Sequence, residues 1–139
     1  MSEHKHGCKA IAIFCIDYRL KLTALAKLMA DIGYPEGTYD HAATAGSGRK
    51  LVVPETGKTE SLLEDIEIAA TLHGISEVVV LYHDNCGAYG IADPAQEDET
   101  ERVDLGRIKT ILAIKFPELL VKTYIIKGTP TGELSLQKI

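Results

Sequence analysis

Short apolar runs alternate along the chain with segments in which apolar residues recur at helical spacing. The runs are continuous rather than interrupted by polar residues, which is typical of strands buried on both faces of a parallel sheet. The run at residues 77–82 is rich in β-branched side chains and is expected at the centre of the sheet. The predicted strands are residues 9–15, 38–43, 77–82 and 121–126.

Helices are predicted between these runs, where apolar residues recur every three or four positions. Gly33 and Gly74 follow the first two such segments and Pro117 follows the third, so the helices are expected to end there. The predicted helices are residues 20–32, a segment that begins at Thr59 or Ser61, and residues 103–116.

Three connections lack a regular apolar pattern. The acidic stretch at residues 93–101 is interpreted as a solvated loop. Residues 45–49 form a glycine-containing segment after the second strand. Residues 128–132 predict a turn into a short edge strand that ends near Gln137.

The order of these elements predicts the fold class. Strands and helices alternate, and right-handed crossovers wind that order into a parallel twisted β-sheet with helices on both faces. We therefore expect an α/β protein with about four parallel strands plus a short edge strand. The length of 139 residues predicts one domain at residues 1–139, with residues 1–8 flexible.

Metal-binding side chains follow the first and third predicted strands. In open parallel sheets the ligand crevice lies beyond the carboxyl ends of the strands, so these two segments are expected to meet. Cys15, His83 and Cys86 supply the sulfur and nitrogen donors of a zinc site, and three protein ligands leave a fourth position for water. Thiolate and imidazole favour zinc or iron over magnesium or calcium.

Composition and charge exclude several classes of partner. A formal net charge of −5 argues against broad binding of nucleic acid, which requires a clustered positive surface. No apolar run approaches the ~20 residues that span a bilayer, and residues 1–9 lack the apolar stretch of a secretory signal. Residence in the cytoplasm is expected, where the three cysteines act as ligands, nucleophiles or core residues rather than as disulfides.

The two metal-binding segments resemble motifs of the β-class carbonic anhydrases. That family carries Cys-x-Asp-x-Arg after the first strand and His-x-x-Cys-Gly after a later one. The corresponding residues here are Cys15-Ile16-Asp17-Tyr18-Arg19 and His83-Asp84-Asn85-Cys86-Gly87. The similarity extends from about Ala10 to residues 131–134 and implies the fold that the pattern of elements also predicts.

The resemblance implies an activity and a role for each motif residue. Cys15, His83 and Cys86 would bind Zn²⁺, and zinc-bound hydroxide would convert CO2 reversibly to bicarbonate. Asp17 and Arg19 would pair beside the metal as the catalytic dyad. If Arg19 releases Asp17, that carboxylate would become the fourth zinc ligand of a closed state. The family also implies a homodimer or a higher homo-oligomer.

The sequence departs from the family in three places. The helical N-terminal arm that usually embraces a partner subunit is not expected, because the first strand begins within about ten residues of Met1. Residues 43–46 replace the family's Arg-Asn-Ala-Gly by Ala-Thr-Ala-Gly, and the region after Cys86 is short and acidic. These segments shape the substrate cleft, where Ala45, Gly46 and Gly87 are the candidate substrate-binding residues.

Other functions remain open on the sequence alone. A reshaped cleft is compatible with hydrolysis of carbonyl sulfide or carbon disulfide, and a permanent fourth protein ligand would indicate a non-catalytic zinc module. Thiol redox chemistry between Cys15 and Cys86 is a third alternative, although no Cys-x-x-Cys is present. A proton relay could use any of four side chains, and their spacing selects none: Tyr18, His41, Asp84 and Tyr89.

The remaining cysteine and several histidines have simpler interpretations. Cys8 is expected to be a core residue. His4 and His6 are assigned to an unstructured end, and His73 to a helix C-terminus, where imidazole is electrostatically favourable. Residues 46–48 could cradle an anion but lack the Gly-Lys-Ser/Thr ending of a phosphate loop.

Overall fold

A computed structural model describes residues 6–53 and 58–139. Five strands and four helices follow one another along these residues. The strands are β1 (Ala10–Phe14), β2 (Tyr39–Ala43), β3 (Glu77–His83), β4 (Leu120–Lys127) and β5 (Ser135–Lys138). The helices are α1 (Leu22–Asp31), α2 (Arg49–Val52), α3 (Thr59–His73) and α4 (Pro94–Lys115).

The strands form one sheet in the order β2-β1-β3-β4-β5. β1 to β4 are parallel, and β5 pairs antiparallel with the edge of β4. β1 lies between β2 and β3, so the chain moves to one side after β1 and returns to the other side at β3. Such a reversal is the switch point at which open α/β sheets bind ligands. The predicted fold class, including the short edge strand, is confirmed.

Helices cover both faces of the sheet, and each face has its own core. α1 packs Leu25 and Met29 against alternate residues of β1, β3 and β4. α2, α3 and α4 cover the opposite face, where Ile66 and Ile108 contact the other alternate residues. Because all seven residues of β3 are buried, that strand is the centre of the protein, as its composition predicts.

One predicted loop is a helix. Residues 93–101 do not form a solvated loop, because α4 begins at Pro94 and runs without interruption to Lys115. The Asp93 side chain accepts a hydrogen bond from Ala95 N at 3.2 Å and caps the helix, and proline is well suited to its first position. Glu97 and Glu101 are buried, so the acidic stretch forms part of the interior.

The other boundaries differ little from prediction. α3 begins at Thr59 and is followed by Gly74 in the left-handed conformation (φ 60°), as expected for a glycine C-cap. α2, a single turn after the glycine segment, is absent from the sequence prediction because four residues are too few to show a period. Within residues 6–53 and 58–139, no helix combines the length and hydrophobicity that crossing a bilayer requires.

Candidate active site

The two predicted motifs meet at the carboxyl ends of β1 and β3. Cys15 directly follows β1, His83 is the last residue of β3, and Cys86 lies in the turn after it. One ligand atom from each of the three side chains lies within 4.8 Å of the others, and all three residues are buried. The structure therefore brings together the three side chains that the sequence proposes as ligands.

The imidazole of His83 is oriented by its other nitrogen. Nδ1 lies 2.7 Å from the Asp84 carbonyl oxygen and 3.2 Å from Thr129 Oγ1. Because a carbonyl can only accept, Nδ1 carries the hydrogen and Nε2 keeps its lone pair. His83 is only 1% exposed, and Nε2 has no hydrogen-bond partner among the described residues. A buried lone pair without a partner is costly, which favours a ligand at this position.

The two thiols share one negative charge. Hydrogen bonding with Cys86 lowers the pKa of Cys15 to about 4 against the opposing effect of burial, and the backbone amides of Gly46 and Asp17 contribute. The pKa of Cys86 is raised, because its proton is held by the Cys15 thiolate and because the residue is buried. Burial opposes ionisation of His83, but the negative charge of the nearby Cys15 thiolate and the contact with the Asp84 backbone raise its pKa overall.

This donor set fits a thiophilic divalent cation. Zinc–sulfur and zinc–nitrogen bonds of about 2.3 and 2.0 Å place tetrahedral ligand atoms roughly 3.4–3.8 Å apart, and the three donor atoms here lie within 4.8 Å of one another. The lowered pKa of Cys15, which favours its thiolate, and the free Nε2 lone pair of His83 both favour such an ion. The fixed Nδ1 contact is the second interaction that metal-binding histidines usually make.

Asp17 and Arg19 form a close pair beside the cluster. Asp17 Oδ1 accepts from the Arg19 backbone N at 2.9 Å and from Nε at 3.0 Å, and Oδ2 accepts from Nη2 at 2.7 Å. These hydrogen bonds lower the pKa of Asp17 to about 2, so the carboxylate is ionised at neutral pH. Its Oδ2 lies 3.8 Å from His83 Nε2, close to the site but directed to Arg19.

The same arginine links the two motifs. Arg19 Nη1 donates to Asn85 Oδ1 at 2.8 Å, and Nη2 donates to the Asn85 carbonyl oxygen at 2.9 Å. Asn85 has a positive φ of 54°, a conformation that asparagine tolerates better than most residues. The guanidinium therefore fixes Asp17 and the turn that carries Cys86 at the same time.

A carboxylate from the acidic stretch that the sequence predicted to be a loop accepts hydrogen bonds from the backbone of this turn. Glu97, in the first turns of α4, accepts the backbone N–H of Asn85 through Oε1 at 2.7 Å and that of Cys86 through Oε2 at 2.9 Å. Its exposed fraction is 4%. The sequence prediction missed Glu97, although Asp93 before Pro94 is a helix-start signal that would have placed it on a helix.

A cleft of about 640 Å³ opens beside Cys15 and Asp17. Apolar side chains of Phe14, Leu20 and Leu25 form part of its wall. An opening lined in this way next to a polar cluster is typical of a site for a small molecule.

The three candidate substrate-binding residues occupy different environments. Gly46 is buried with φ 75°, a conformation that favours glycine, and a Cβ there would fit tightly, 3.1 Å from Arg49 Cβ and 3.2 Å from Ala88 Cβ. Ala45 is exposed, and a Cβ on Gly87 would meet nothing within 4 Å. None of the three lines the cleft beside Asp17.

The candidate proton relays are also dispersed. The Asp84 carboxylate accepts from the backbone N–H of Gly128 and Thr129, and Tyr89 donates to Asp104 Oδ2 at 2.7 Å. Tyr18 is 90% exposed. His41 is exposed and lines the same cleft as Cys15 and Asp17.

Fold and site together define an α/β protein with a candidate Cys/His/Cys metal centre at the switch point of its sheet. Residues 5–125 match the family described as "Putative carbonic anhydrase", and the chain belongs to this family. The resemblance stated from the two motifs is thereby confirmed.

Two relatives from Rickettsia are each 31% identical over 124 residues and are described as uncharacterized proteins. The match covers 84% of this chain in both cases, with 74% of the Rickettsia bellii protein and 66% of the Rickettsia conorii protein. They support the family without adding an activity.

Solved carbonic anhydrases have the same fold. The enzyme from Streptococcus mutans aligns with a TM-score of 0.60 at 20% identity, over 100% of this chain and 87% of that one. The enzyme from Glaciozyma antarctica gives 0.57 at 22% identity, over 94% and 82%. A tetrameric β-carbonic anhydrase from Sordaria macrospora gives 0.62 at 13% identity, over 96% and 81%.

Proposed function

We propose that the protein catalyses the reversible hydration of CO2 to bicarbonate at a zinc ion held by Cys15, His83 and Cys86. The observation that carries this proposal is the His83 Nε2 lone pair, buried without a partner among the described residues and directed into a cluster with two cysteines. Three protein ligands, two of them thiolates, leave a position for exchangeable water.

The zinc ion would supply Lewis acidity, which lowers the pKa of a bound water from 15.7 to about 7. The chain's own groups complete the site. Asp84 and Thr129 hold the His83 ring in the tautomer that leaves Nε2 free. Glu97 fixes the turn that presents Cys86.

Asp17 orients the nucleophile. Its Oδ2 atom lies at the edge of the cluster and is ionised, so it can accept a hydrogen bond from water and direct a lone pair of that water toward CO2. Arg19 keeps the carboxylate in this orientation through its paired donors. Release of the Arg19 contacts would let Asp17 become a fourth ligand and close the site, which we propose as its inactive arrangement.

The cleft beside Asp17 is suited to a small apolar substrate. Phe14, Leu20 and Leu25 offer weak, non-directional contacts, which match CO2 better than a charged or strongly hydrogen-bonding molecule. Carbonyl sulfide and carbon disulfide share that chemistry and are the alternatives that the assay must exclude.

We further propose that the chain forms a homo-oligomer and works in the cytoplasm. Ile16, Tyr18 and Leu22 lie at the mouth of the cleft with 62%, 90% and 83% of their surface exposed. Large apolar side chains exposed together are typical of association surfaces. The free thiols of Cys15 and Cys86 suit a reducing compartment.

Stopped-flow CO2 hydration on protein of measured zinc content tests the function. Zinc-loaded protein should be active, the same preparation after chelation should be inactive, and readdition of zinc should restore the rate. Cys86→Ser should lose both the catalytic zinc and the rate. If Cys86→Ser loses its bound zinc but the zinc-loaded wild type hydrates CO2 no faster than the uncatalysed reaction, CO2 is rejected as the substrate. Carbonyl sulfide and carbon disulfide would then be assayed on the same samples.

A further inference from the structure

A second group of metal-binding side chains lies away from the active site. One ligand atom each from Cys8, Asp40 and His73 lies within 4.8 Å of the others, as do those of Cys15, His83 and Cys86. All three residues are half-buried, so the group is accessible to an ion but shielded from bulk water. The sequence assigned Cys8 to the core and gave His73 no partner.

Three separate segments bring these residues together at the amino ends of the parallel strands. Cys8 precedes β1, Asp40 is the second residue of β2, and His73 is the last residue of α3. The Cys8 backbone N donates to the His73 carbonyl oxygen at 3.2 Å, which holds the two residues in place. Seven residues of extended chain, roughly 23 Å, separate Cys8 from Cys15, so the two clusters are independent.

The hydrogen bonds around His73 match those of a metal ligand. Nδ1 contacts Asp40 Oδ2 at 2.6 Å, and Nε2 contacts His6 Nε2 at 3.0 Å. A histidine that binds a metal through one nitrogen usually donates the hydrogen on the other to a neighbouring acceptor. His73 can do this with Nδ1 as the ligand and with His6 as the acceptor of its Nε2–H.

We propose that Cys8, Asp40 and His73 form a second binding site for a divalent transition metal, with zinc as the best match to the donors. One thiolate, one imidazole and one carboxylate are all common zinc ligands, and their donor atoms lie within 4.8 Å of one another. The ion takes the place of the Nδ1 contact with Asp40 while the ring keeps its hydrogen on Nε2, and the Cys8 thiol releases its proton. Bound there, the metal cross-links β2, the end of α3 and the segment before β1.

Counting zinc by equilibrium dialysis on the full chain tests the proposal. Wild type should bind one zinc per chain more than Cys8→Ser and one more than His73→Ala. His41→Ala is the matched control, because this histidine neighbours Asp40 in sequence but lies outside the cluster, and it should bind as much zinc as wild type. Cys8→Ser changes a single atom. If His73→Ala does not fold, the comparison of wild type with Cys8→Ser alone tests the site.

A spectroscopic arm identifies the ligand directly. Cobalt(II) added to Cys86→Ser protein should show sulfur-to-cobalt charge transfer that disappears when Cys8→Ser is combined with it. Equal zinc content in wild type and Cys8→Ser would overturn the proposal, and Asp40 and His73 would then be a hydrogen-bonded pair only. Because each comparison counts a difference in zinc, failure of CO2 hydration leaves this result unaffected.

Discussion

Arg19 holds Asp17 through two side-chain nitrogens and its own backbone N–H, and its remaining donors reach Asn85. The planar guanidinium makes this geometry possible, because a lysine ammonium of the same charge could not satisfy both residues in one plane. Substitution of Arg19 by lysine can therefore separate the effect of orienting the carboxylate from the effect of the positive charge beside it.

Arg19→Lys should retain the zinc of the catalytic site but lower kcat for CO2 hydration by about 10- to 100-fold, the range for groups that orient others around a metal. Lys21→Ala, an exposed cation two residues away, is the control and should match wild type. Stopped-flow rates and zinc content on the same samples make the comparison. A kcat equal to wild type in Arg19→Lys would show that charge alone suffices.

Glu101 is a carboxyl group held in its neutral form. Burial and the neighbouring Glu97 raise its pKa to about 9, and neither carboxyl oxygen has a hydrogen-bond partner among the described residues. In the unfolded chain the group ionises near pH 4.3. Between these two values the folded protein holds a proton that the unfolded chain has lost, so this group makes stability fall as the pH rises.

Glu101→Gln keeps the shape and removes the ionisation. The free energy of unfolding of the variant should exceed that of wild type by about 3–5 kcal/mol at about pH 8, and the gap should narrow to about 1 kcal/mol at about pH 5. Urea unfolding followed by circular dichroism across this range measures it. Glu99→Gln, an exposed position on the same helix, should follow the wild-type curve. A constant gap at every pH would contradict the assignment.

At the scale of elements, β3 and α4 show what the sequence could and could not predict. The apolar run of β3 marks a buried strand without ambiguity, and the two motifs at the strand ends identify the residues that the fold brings together. The first turns of α4 could not be recognised from apolar periodicity, because the first buried positions of the helix are carboxylates. The buried positions are Glu97, Glu101, Asp104, Leu105, Ile108 and Leu112, a helical period in which only the later members are apolar.

The position of Glu97 on this helix predicts how its substitution affects stability and zinc affinity. Its two oxygens accept the N–H groups of Asn85 and Cys86, so removing one acceptor leaves a buried donor without a partner. Glu97→Gln should lower the free energy of unfolding by about 1–3 kcal/mol and zinc affinity at the catalytic site by about 10- to 100-fold.

Competition with a chelator of known affinity, together with urea unfolding, measures both effects. Glu99→Gln serves again as the matched control, since it removes the same charge from the solvent side of α4. A loss of stability with no change in zinc affinity would mean that Glu97 supports the helix packing but does not position Cys86.

At the scale of the whole molecule, the exposed apolar residues around the cleft bear on whether the chain is a monomer or an oligomer. Ile16, Tyr18 and Leu22 are exposed on one side of the site, while Ile114 is equally exposed on α4. Only the first group is contiguous with the cleft. An association surface there would also cover part of the entrance to the site.

Light scattering should therefore give a particle mass at least twice the 15.1 kDa of one chain. Leu22→Lys should shift the protein toward the monomer by placing a charge in the contact, and Ile114→Lys should not. If both variants keep the wild-type mass, the surface around Leu22 is not the interface. If wild type is monomeric, the proposed oligomer is wrong.

The continuity of α4 limits how the turn that carries Cys86 can be engineered. Each residue advances an α-helix by about 100°, so a single insertion between Glu97 and Leu105 would rotate the carboxylate away from the turn while the rest of the helix stayed packed. A graft of residues 83–90 into another scaffold would lack that carboxylate for the same reason. The transferable unit is the turn together with the helix that follows it, in a fixed register, and libraries of loop variants should leave the length of that helix unchanged.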